Sequence, residues 1–244
     1  MEKFWYENWF DSKYYEILYE KRNYLEAKIF IHNICNHLNI KLNSKILDIG
    51  CGKGRHCFIL SKKGLKVDGI DLSSRNINYA KNKEHKNCNF YVHNMINSFK
   101  NMEYDYVFNI FTSFGYFKTY QDNEKVFTSC VNNLKDDGIF VLDFLNLEYI
   151  IKNLIKSETK KVSKIEFDIK REITKNQIIK YINIRDYDKV FNYKEEVFKL
   201  SLKDFKEMAN RQGLKIDNIF GDYKLNKFKP TESERLILIM KKLN

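Results

Sequence analysis

The stretch that decides the fold runs from Lys45 to Ser74 and has the sequence KILDIGCGKGRHCFILSKKGLKVDGIDLSS. A short apolar strand, a glycine-rich turn, an apolar helical face and a second strand follow one another here. This order is half of a doubly wound α/β fold, whose ligand crevice lies at the carboxyl ends of the strands. Asp71 ends the second strand, 21 residues after Gly50, where a carboxylate can accept hydrogen bonds from both hydroxyls of a ribose. The stretch therefore indicates an adenosine-like ligand beside a glycine turn.

The spacing of the glycines narrows the choice of ligand. A dinucleotide turn needs G-x-G-x-x-G, but the glycines here are Gly50, Gly52 and Gly54, and Arg55 follows. The string DIGCGKGRH, followed by GIDLS, instead resembles the first and second motifs of the class I S-adenosylmethionine-dependent methyltransferases. A Rossmann-like fold that binds another ligand stays open as an alternative, because fold does not fix function.

The resemblance assigns a cofactor and the residues that bind it. In that family the glycine turn lies beside the methionine part of S-adenosylmethionine, the acid after strand 2 holds the ribose, and S-adenosylhomocysteine is the product. Asn94 stands where the family often has Asp, and its side-chain carbonyl can still accept a hydrogen bond from the adenine amino group. Met95 would pack on the adenine face. The cofactor-binding residues implied in this core are Gly50, Gly52, Asp71, Leu72, Asn94, Met95 and Asn109.

Composition excludes several classes of protein. The 244 residues are 43% hydrophobic, which suits one large globular domain. We expect no membrane span, since no run of about 18 apolar residues occurs, and no signal peptide, since the acidic start lacks a cleavage site. The five cysteines form no C-x-x-C pair, which argues against a metal site and makes the cytoplasm the expected location.

The net charge of +11 has two explanations. A basic protein can bind nucleic acid, which keeps an RNA methyltransferase as an alternative. The lysines are scattered, however, and Lys, Asn and Ile are all abundant, as an A/T-rich coding sequence would produce. We therefore expect the charge to reflect coding bias more than an RNA partner.

The N-terminal segment, residues 1–23, is dense in aromatic residues. Ser12 is a helix cap for a helix that starts at Lys13, and Tyr15, Tyr19 and Arg22 share one face of it. The segment either packs on the sheet or forms a lid over the cofactor. As a lid, its tyrosines would face the sulfonium and Arg22 would pair with the methionine carboxylate.

The loop after the fourth strand bears on the acceptor. The strand is predicted over 104–110, and FTSFGYFKT follows at 111–119. This loop lacks N-P-P-Y, D-P-P-Y and a Pro-Cys or Thr-Cys pair, which argues against the two large classes of nucleic-acid base methyltransferases. With YYEILYEKR near the N-terminus, it resembles nucleotide-sugar N-methyltransferases and related small-molecule methyltransferases, over roughly residues 10 to 145.

The rest of the chain completes a predicted α/β fold, namely a Rossmann-like, mostly parallel seven-stranded sheet with helices on both faces and an antiparallel β insert. Apolar spacing at Leu25, Ile29, Ile34 and Leu38 predicts a helix leading into the first strand. Three alternating strands in 158–200 predict the insert, which covers the acceptor site or makes a homodimer contact. Residues 24–157 and 201–244 form the core, closed by an antiparallel pair at 214–220 and 235–241, so that 1–244 is one domain.

Three residues are candidates for catalysis. The reaction is an in-line attack on the sulfonium methyl, and an amine acceptor must first be neutral, so a nearby base can help. Tyr116 lies in the loop after strand 4, Asp143 near the end of strand 5, and His56 after the glycine turn. Asn146 is more simply a cap for the next helix. We expect a methyltransferase acting on N or O of a small molecule; an RNA methyltransferase and a non-catalytic cofactor-binding subunit remain alternatives.

Overall fold

A computed structural model describes residues 4–19 and 24–243. Its helices are α1 (Trp5–Phe10), α2 (Lys13–Leu18), α3 (Tyr24–His37), α4 (Arg55–Ser61), α5 (Ser74–Lys81), α6 (Tyr120–Asn132), α7 (Leu147–Lys152) and α8 (Leu202–Arg211). Its strands are β1 (Lys45–Ile49), β2 (Lys66–Asp71), β3 (Cys88–Val92), β4 (Tyr104–Asn109), β5 (Leu134–Leu145), β6 (Ser157–Val162), β7 (Ile165–Ile173), β8 (Gln177–Asp186), β9 (Lys189–Phe198), β10 (Leu214–Phe220) and β11 (Arg235–Lys242).

The main sheet confirms the predicted fold class. Its seven strands run in the order β10-β11-β5-β4-β1-β2-β3, with β1, β2, β3, β4 and β5 parallel and β11 antiparallel to both of its neighbours. Strand order reverses between β4 and β1, and a crevice opens at the carboxyl ends of strands at such a point. The glycine turn follows β1 at this place.

Helices bury apolar side chains on both faces of the sheet. On one face Leu47 and Ile49 of β1 join a core with Phe127 of α6 and Phe205 of α8. On the other face, Ile46 belongs to a core that includes α3 and α4. The central strands are therefore covered on both sides, as strands of a parallel sheet usually are. Side-chain caps start several helices, and Ser12 accepts a hydrogen bond from the backbone as predicted. The S-x-x-D spacing of Ser201 and Asp204 predicts a capping box for α8, and the structure has it.

The insert differs from the prediction in its number of strands. It is a four-stranded antiparallel sheet, β6-β7-β8-β9, called here the insert sheet, where three strands were expected. The additional strand, β6, has the sequence SETKKV and is largely exposed at the sheet edge. Because it has almost no apolar residue, the alternation that reveals a half-buried strand is missing.

The predicted face of α3 was also partly wrong. Ile34 is buried, but Leu25 is 56% exposed and Ile29 is 41% exposed. The helix instead packs through Ala27 and Phe30, together with Ile31 and Cys35. Among the residues described, no helix has both the length and the apolar composition needed to cross a membrane.

Candidate functional site

The glycine turn forms one wall of a cavity of about 470 Å³. Gly50 has a φ of +77°, and a Cβ there would lie 2.7 Å from the Cβ of Ser113, so the turn packs tightly on the loop after β4. Gly52 has a φ of +55°, and a Cβ there would meet no atom within 4 Å. The backbone at Gly52 is therefore bare toward the cavity, which lets a ligand approach it closely.

Asp71 joins the turn to the end of β2. One carboxylate oxygen accepts a hydrogen bond from Gly52 N at 2.8 Å, and the other accepts one from Ser73 N, also at 2.8 Å. Burial raises the pKa of Asp71, and the two backbone N–H groups oppose that rise. A carboxylate has about four acceptor positions, so two remain for a ligand that offers a pair of hydroxyls, as a ribose does.

The far wall of the cavity is formed by residues 4–19, which are called the lid from here on. Tyr15 of α2 lines the cavity, and its ring packs edge-on against Phe10 and Tyr19, with centroids 5.0 Å away in each case. Glu16 holds the lid to the glycine turn through an ion pair with Lys53 at 2.6 Å. Arg22, predicted on the same face as Tyr15, lies outside the described residues.

The lid is anchored mainly to the insert sheet. Trp9 is fully buried, and its Nε1 donates to Glu195 of β9 at 2.7 Å. Tyr19 donates to the same carboxylate oxygen at 2.6 Å. Lid residues share an apolar core with Phe167 and Ile182 of the insert sheet. The lid and the insert sheet thus form one packed layer, and the lid is the part of this layer that lines the cavity.

Tyr116 lies where the loop after β4 (residues 110–119, the strand-4 loop) meets the lid. Its ring centroid is 5.3 Å from those of both Trp5 and Phe10. Its hydroxyl donates a hydrogen bond to the carbonyl of Thr112. Since a hydroxyl that donates can also accept, Tyr116 can receive a hydrogen bond from a group in the cavity that it lines.

His56 lies beneath the strand-4 loop and lines the cavity. Its ring stacks on Phe111, with centroids 4.7 Å apart, and its Nδ1 is 4.0 Å from a carboxylate oxygen of Asp48. Burial, and then the neighbouring Arg55 guanidinium, lower the pKa of His56 well below its usual value. The imidazole is therefore neutral near pH 7 and is a weak base.

The structure brings most of the predicted site residues into one cavity. The predicted site residues that line this cavity are Tyr15, Gly50, Gly52, His56, Asp71, Leu72, Asn94, Met95 and Tyr116.

Two predicted site residues lie beside the cavity instead of on its wall. Asn109 is buried below the glycine turn, where its Nδ2 donates to Ile49 O and Ser113 O, each at 3.2 Å. Asp143 is fully buried, and its carboxylate accepts from Arg235 and from Phe111 N. The geometry favours a supporting role for both.

Sequence reasoning missed three carboxylates of the lid. Glu7, Asp11 and Glu16 all line the cavity. Glu7 and Asp11 are four positions apart, a spacing that places both on one face of a helix, and this pattern could have identified them. Phe117 and Ser113 of the strand-4 loop line the cavity as well.

Comparisons with known proteins agree with this geometry. A family model described as "Methyltransferase domain" matches residues 40–213. An uncharacterized protein of Methanocaldococcus jannaschii is 32% identical over 188 residues, which are 73% of this chain and 68% of that protein.

Solved structures resemble the chain across almost its whole length. An S-adenosylmethionine-dependent methyltransferase of Clostridium acetobutylicum superimposes with a TM-score of 0.80 at 21% identity, covering 95% of this chain and 96% of the other. An amino pentose methyltransferase of Micromonospora echinaspora, solved with S-adenosylmethionine bound, gives 0.72 at 14% identity, covering 95% and 97%. At these identities the likeness establishes the fold.

Proposed function

Because this chain belongs to the methyltransferase-domain family, whose methyl donor is S-adenosylmethionine, we propose that it methylates an amine nitrogen of a small molecule. The observation that carries the proposal is the cavity itself. It lies between a bare glycine turn and a lid that supplies aromatic rings and carboxylates. Such a space suits a cofactor at the turn and a compact acceptor beneath the lid.

The chain offers a consistent set of groups for the cofactor. Gly52 presents bare backbone to the cavity, and Asp71 presents a carboxylate that two backbone N–H groups already orient. We assign Asp71 to the ribose and the Asn94–Met95 pair to the adenine, with Tyr15 near the sulfonium. S-adenosylmethionine, when bound, supplies a methyl group that is electrophilic without further activation.

The acceptor end of the cavity combines rings with negative charge. Tyr6, Phe10, Tyr116 and Phe117 line it, as does the Glu7 carboxylate. Aromatic faces and carboxylates attract a protonated amine, and a cation over an aromatic ring gains about 0.5–2 kcal/mol. Carboxylates repel phosphate groups, so this lining favours an amine over RNA.

The protein's contribution to the reaction is alignment and exclusion of water. Holding the nitrogen in line with the methyl group can lower the barrier by about 7–11 kcal/mol. The lid forms part of the cavity wall and is held in place by the insert sheet, which helps to keep water away from the reacting atoms. The amine must lose a proton before it attacks. Tyr116 can accept a hydrogen bond from the neutral nitrogen, and Glu7 is the lid carboxylate that we propose receives the proton.

A labelling experiment tests the proposal. The protein is incubated with S-adenosylmethionine carrying a radiolabelled methyl group and a cell extract, and small molecules, RNA and protein are then separated. We expect the label in the small-molecule fraction, on a nitrogen when the product is identified by mass spectrometry. The Asp71→Ala variant should lose the labelling, whereas Asp136→Ala, which removes an exposed carboxylate, should retain it.

Other outcomes would count against the proposal. Label in RNA, with a binding affinity that falls steeply with salt, would indicate an RNA methyltransferase. Label on an oxygen atom of a small molecule would support methyl transfer but show that the proposed acceptor atom, nitrogen, is wrong. Cofactor binding without transfer to any fraction would favour a non-catalytic partner subunit.

A further inference from the structure

Two consecutive residues of the strand-4 loop have left-handed backbone conformations. Phe111 has a φ of +58° and Thr112 a φ of +60°. Neither is glycine, and bulky or β-branched residues rarely adopt this region. Such residues persist only where the surrounding structure holds them, and they cluster at functional sites.

The buried residue Asp143 holds the backbone of both residues, one through its carboxylate and the other through its main-chain carbonyl. Asp143 of β5 accepts a hydrogen bond from Phe111 N through Oδ2 at 2.7 Å, and its main-chain oxygen accepts one from Thr112 N at 3.1 Å. The Tyr223 hydroxyl donates to the same Oδ2 at 3.2 Å. The β5 strand therefore fixes the two N–H groups that the left-handed turn would otherwise leave unpaired.

Arg235, the first residue of β11, connects this carboxylate to the loop. Its Nε donates to Asp143 Oδ1 at 2.8 Å, and its Nη2 donates to Thr112 Oγ1 at 2.8 Å. The guanidinium also opposes the rise in the pKa of Asp143 that burial causes. A planar fork of donors suits this double role, which a lysine could not reproduce.

The held residues shape the cavity. The Phe111 ring stacks between His56 and Tyr223, with centroids 4.7 Å from each. The Thr112 carbonyl accepts the hydrogen bond of the Tyr116 hydroxyl. A shift of the Phe111–Thr112 backbone would therefore move both the ring beside His56 and the hydroxyl of Tyr116.

We propose that Asp143 and Arg235 are positioning residues for methyl transfer, because they hold Phe111 and Thr112 in the conformation that places Tyr116 in the cavity. This inference rests on the proposed function for its catalytic consequence. The hydrogen bonds that carry it are independent of the acceptor.

The test compares Arg235→Gln with a control on the same strand. Lys241→Gln removes a cation that pairs with Asp137 at 2.8 Å and lies away from the loop. Three quantities are measured for each protein: hydrogen exchange of peptides covering 110–116, kcat, and the affinity for S-adenosylhomocysteine. For Arg235→Gln we expect hydrogen exchange to become faster and kcat to fall, each by about tenfold or more. The affinity for S-adenosylhomocysteine should stay close to that of the unchanged protein. Lys241→Gln should change none of them.

Thr112→Val and Thr112→Ser provide a second test if Arg235→Gln folds poorly. Valine has nearly the shape of threonine but cannot accept from Arg235, whereas serine keeps the hydroxyl. Thr112→Val should lower kcat, whereas Thr112→Ser should keep most of the kcat of the unchanged protein.

The outcomes separate this inference from the proposed function. Unchanged exchange in Arg235→Gln would overturn the inference, as would faster exchange with unchanged kcat. Faster exchange in a protein that shows no methyl transfer at all would refute the proposed function and leave the structural role of the pair supported.

Discussion

Gly52→Ala tests whether the bare turn is a binding surface. Gly52 has a φ of +55°, so an alanine there is strained by about 1–2 kcal/mol, but its Cβ meets no protein atom within 4 Å. In a domain of this size the melting temperature should fall by about 2–4 °C for each kcal/mol. The protein should therefore fold. A ligand that packs about 3.5–4.0 Å from the backbone would collide with the added methyl group.

The loss of binding should be separable from the loss of stability. We expect the affinity for S-adenosylhomocysteine, measured by calorimetry, to fall by about tenfold or more, which corresponds to about 1.4 kcal/mol. Gly213→Ala is the matched control, since Gly213 has a φ of +65° and its Cβ would also meet nothing within 4 Å. It should lose similar stability and no affinity.

Two results would refute this reasoning. If Gly52→Ala binds S-adenosylhomocysteine as tightly as the unchanged protein, the turn does not contact the cofactor. If Gly213→Ala loses affinity to the same extent, the loss reflects general destabilisation and says nothing about the turn.

Three further predictions concern residues below, beside and above the cavity. Burial raises the pKa of Asp48 to about 7. Between about pH 4 and pH 7 the folded protein therefore holds a proton that the unfolded chain has released. Because the folded state binds more protons in this range, its stability falls as pH rises. Asp48→Asn should remove this pH dependence. Between pH 4 and pH 8 its free energy of unfolding, measured in urea at each pH, should rise relative to that of the unchanged protein by on the order of a few kcal/mol. A difference in unfolding free energy that stays constant with pH would contradict the raised pKa of Asp48. Tyr116→Phe should lower kcat on the order of 100-fold with cofactor affinity retained by calorimetry; an unchanged kcat would exclude Tyr116 from the reaction. Glu195→Gln should loosen the lid, because Trp9 and Tyr19 both donate to that carboxylate, and hydrogen exchange over residues 4–19 should rise; equal exchange would show that the apolar core alone holds the lid.

The sequence predicted which residues gather at the glycine-turn side of the cavity, because the signals for that side are local. Positive φ values at Gly50 and Gly52 are built into the turn, and Asp71 ends the next strand. Residues at the carboxyl ends of parallel strands meet at one edge of the sheet. The helix caps at Ser12 and Ser201 involve residues only a few positions away, and these too were correct.

Long-range contacts were beyond sequence reasoning. Trp9 and Glu195 are 186 positions apart, and nothing near either residue signals the other. For that reason the sequence could suggest a packed segment or a lid at the N-terminus without indicating that the segment docks on the insert sheet. Glu7 and Asp11 belong to this docked segment, and both line the cavity.

Asp143 shows how strand pairing decides a side chain's role. It lies near the carboxyl end of β5, which suggested a place on the crevice rim. In the structure it pairs in register with Ile237 of β11, and Arg235 of that strand binds its carboxylate. A partner 92 positions away thus binds the carboxylate of this candidate base, which is buried beside the loop.

A crystal structure with S-adenosylhomocysteine bound would show whether the cavity is the cofactor site. We expect both ribose hydroxyls to lie within hydrogen-bond distance of the Asp71 carboxylate, the methionine part to lie along Gly50 and Gly52, and the sulfur to face the side of the cavity that holds Tyr116. A ligand bound elsewhere, or a ribose turned away from Asp71, would show that the assignment of the site is wrong.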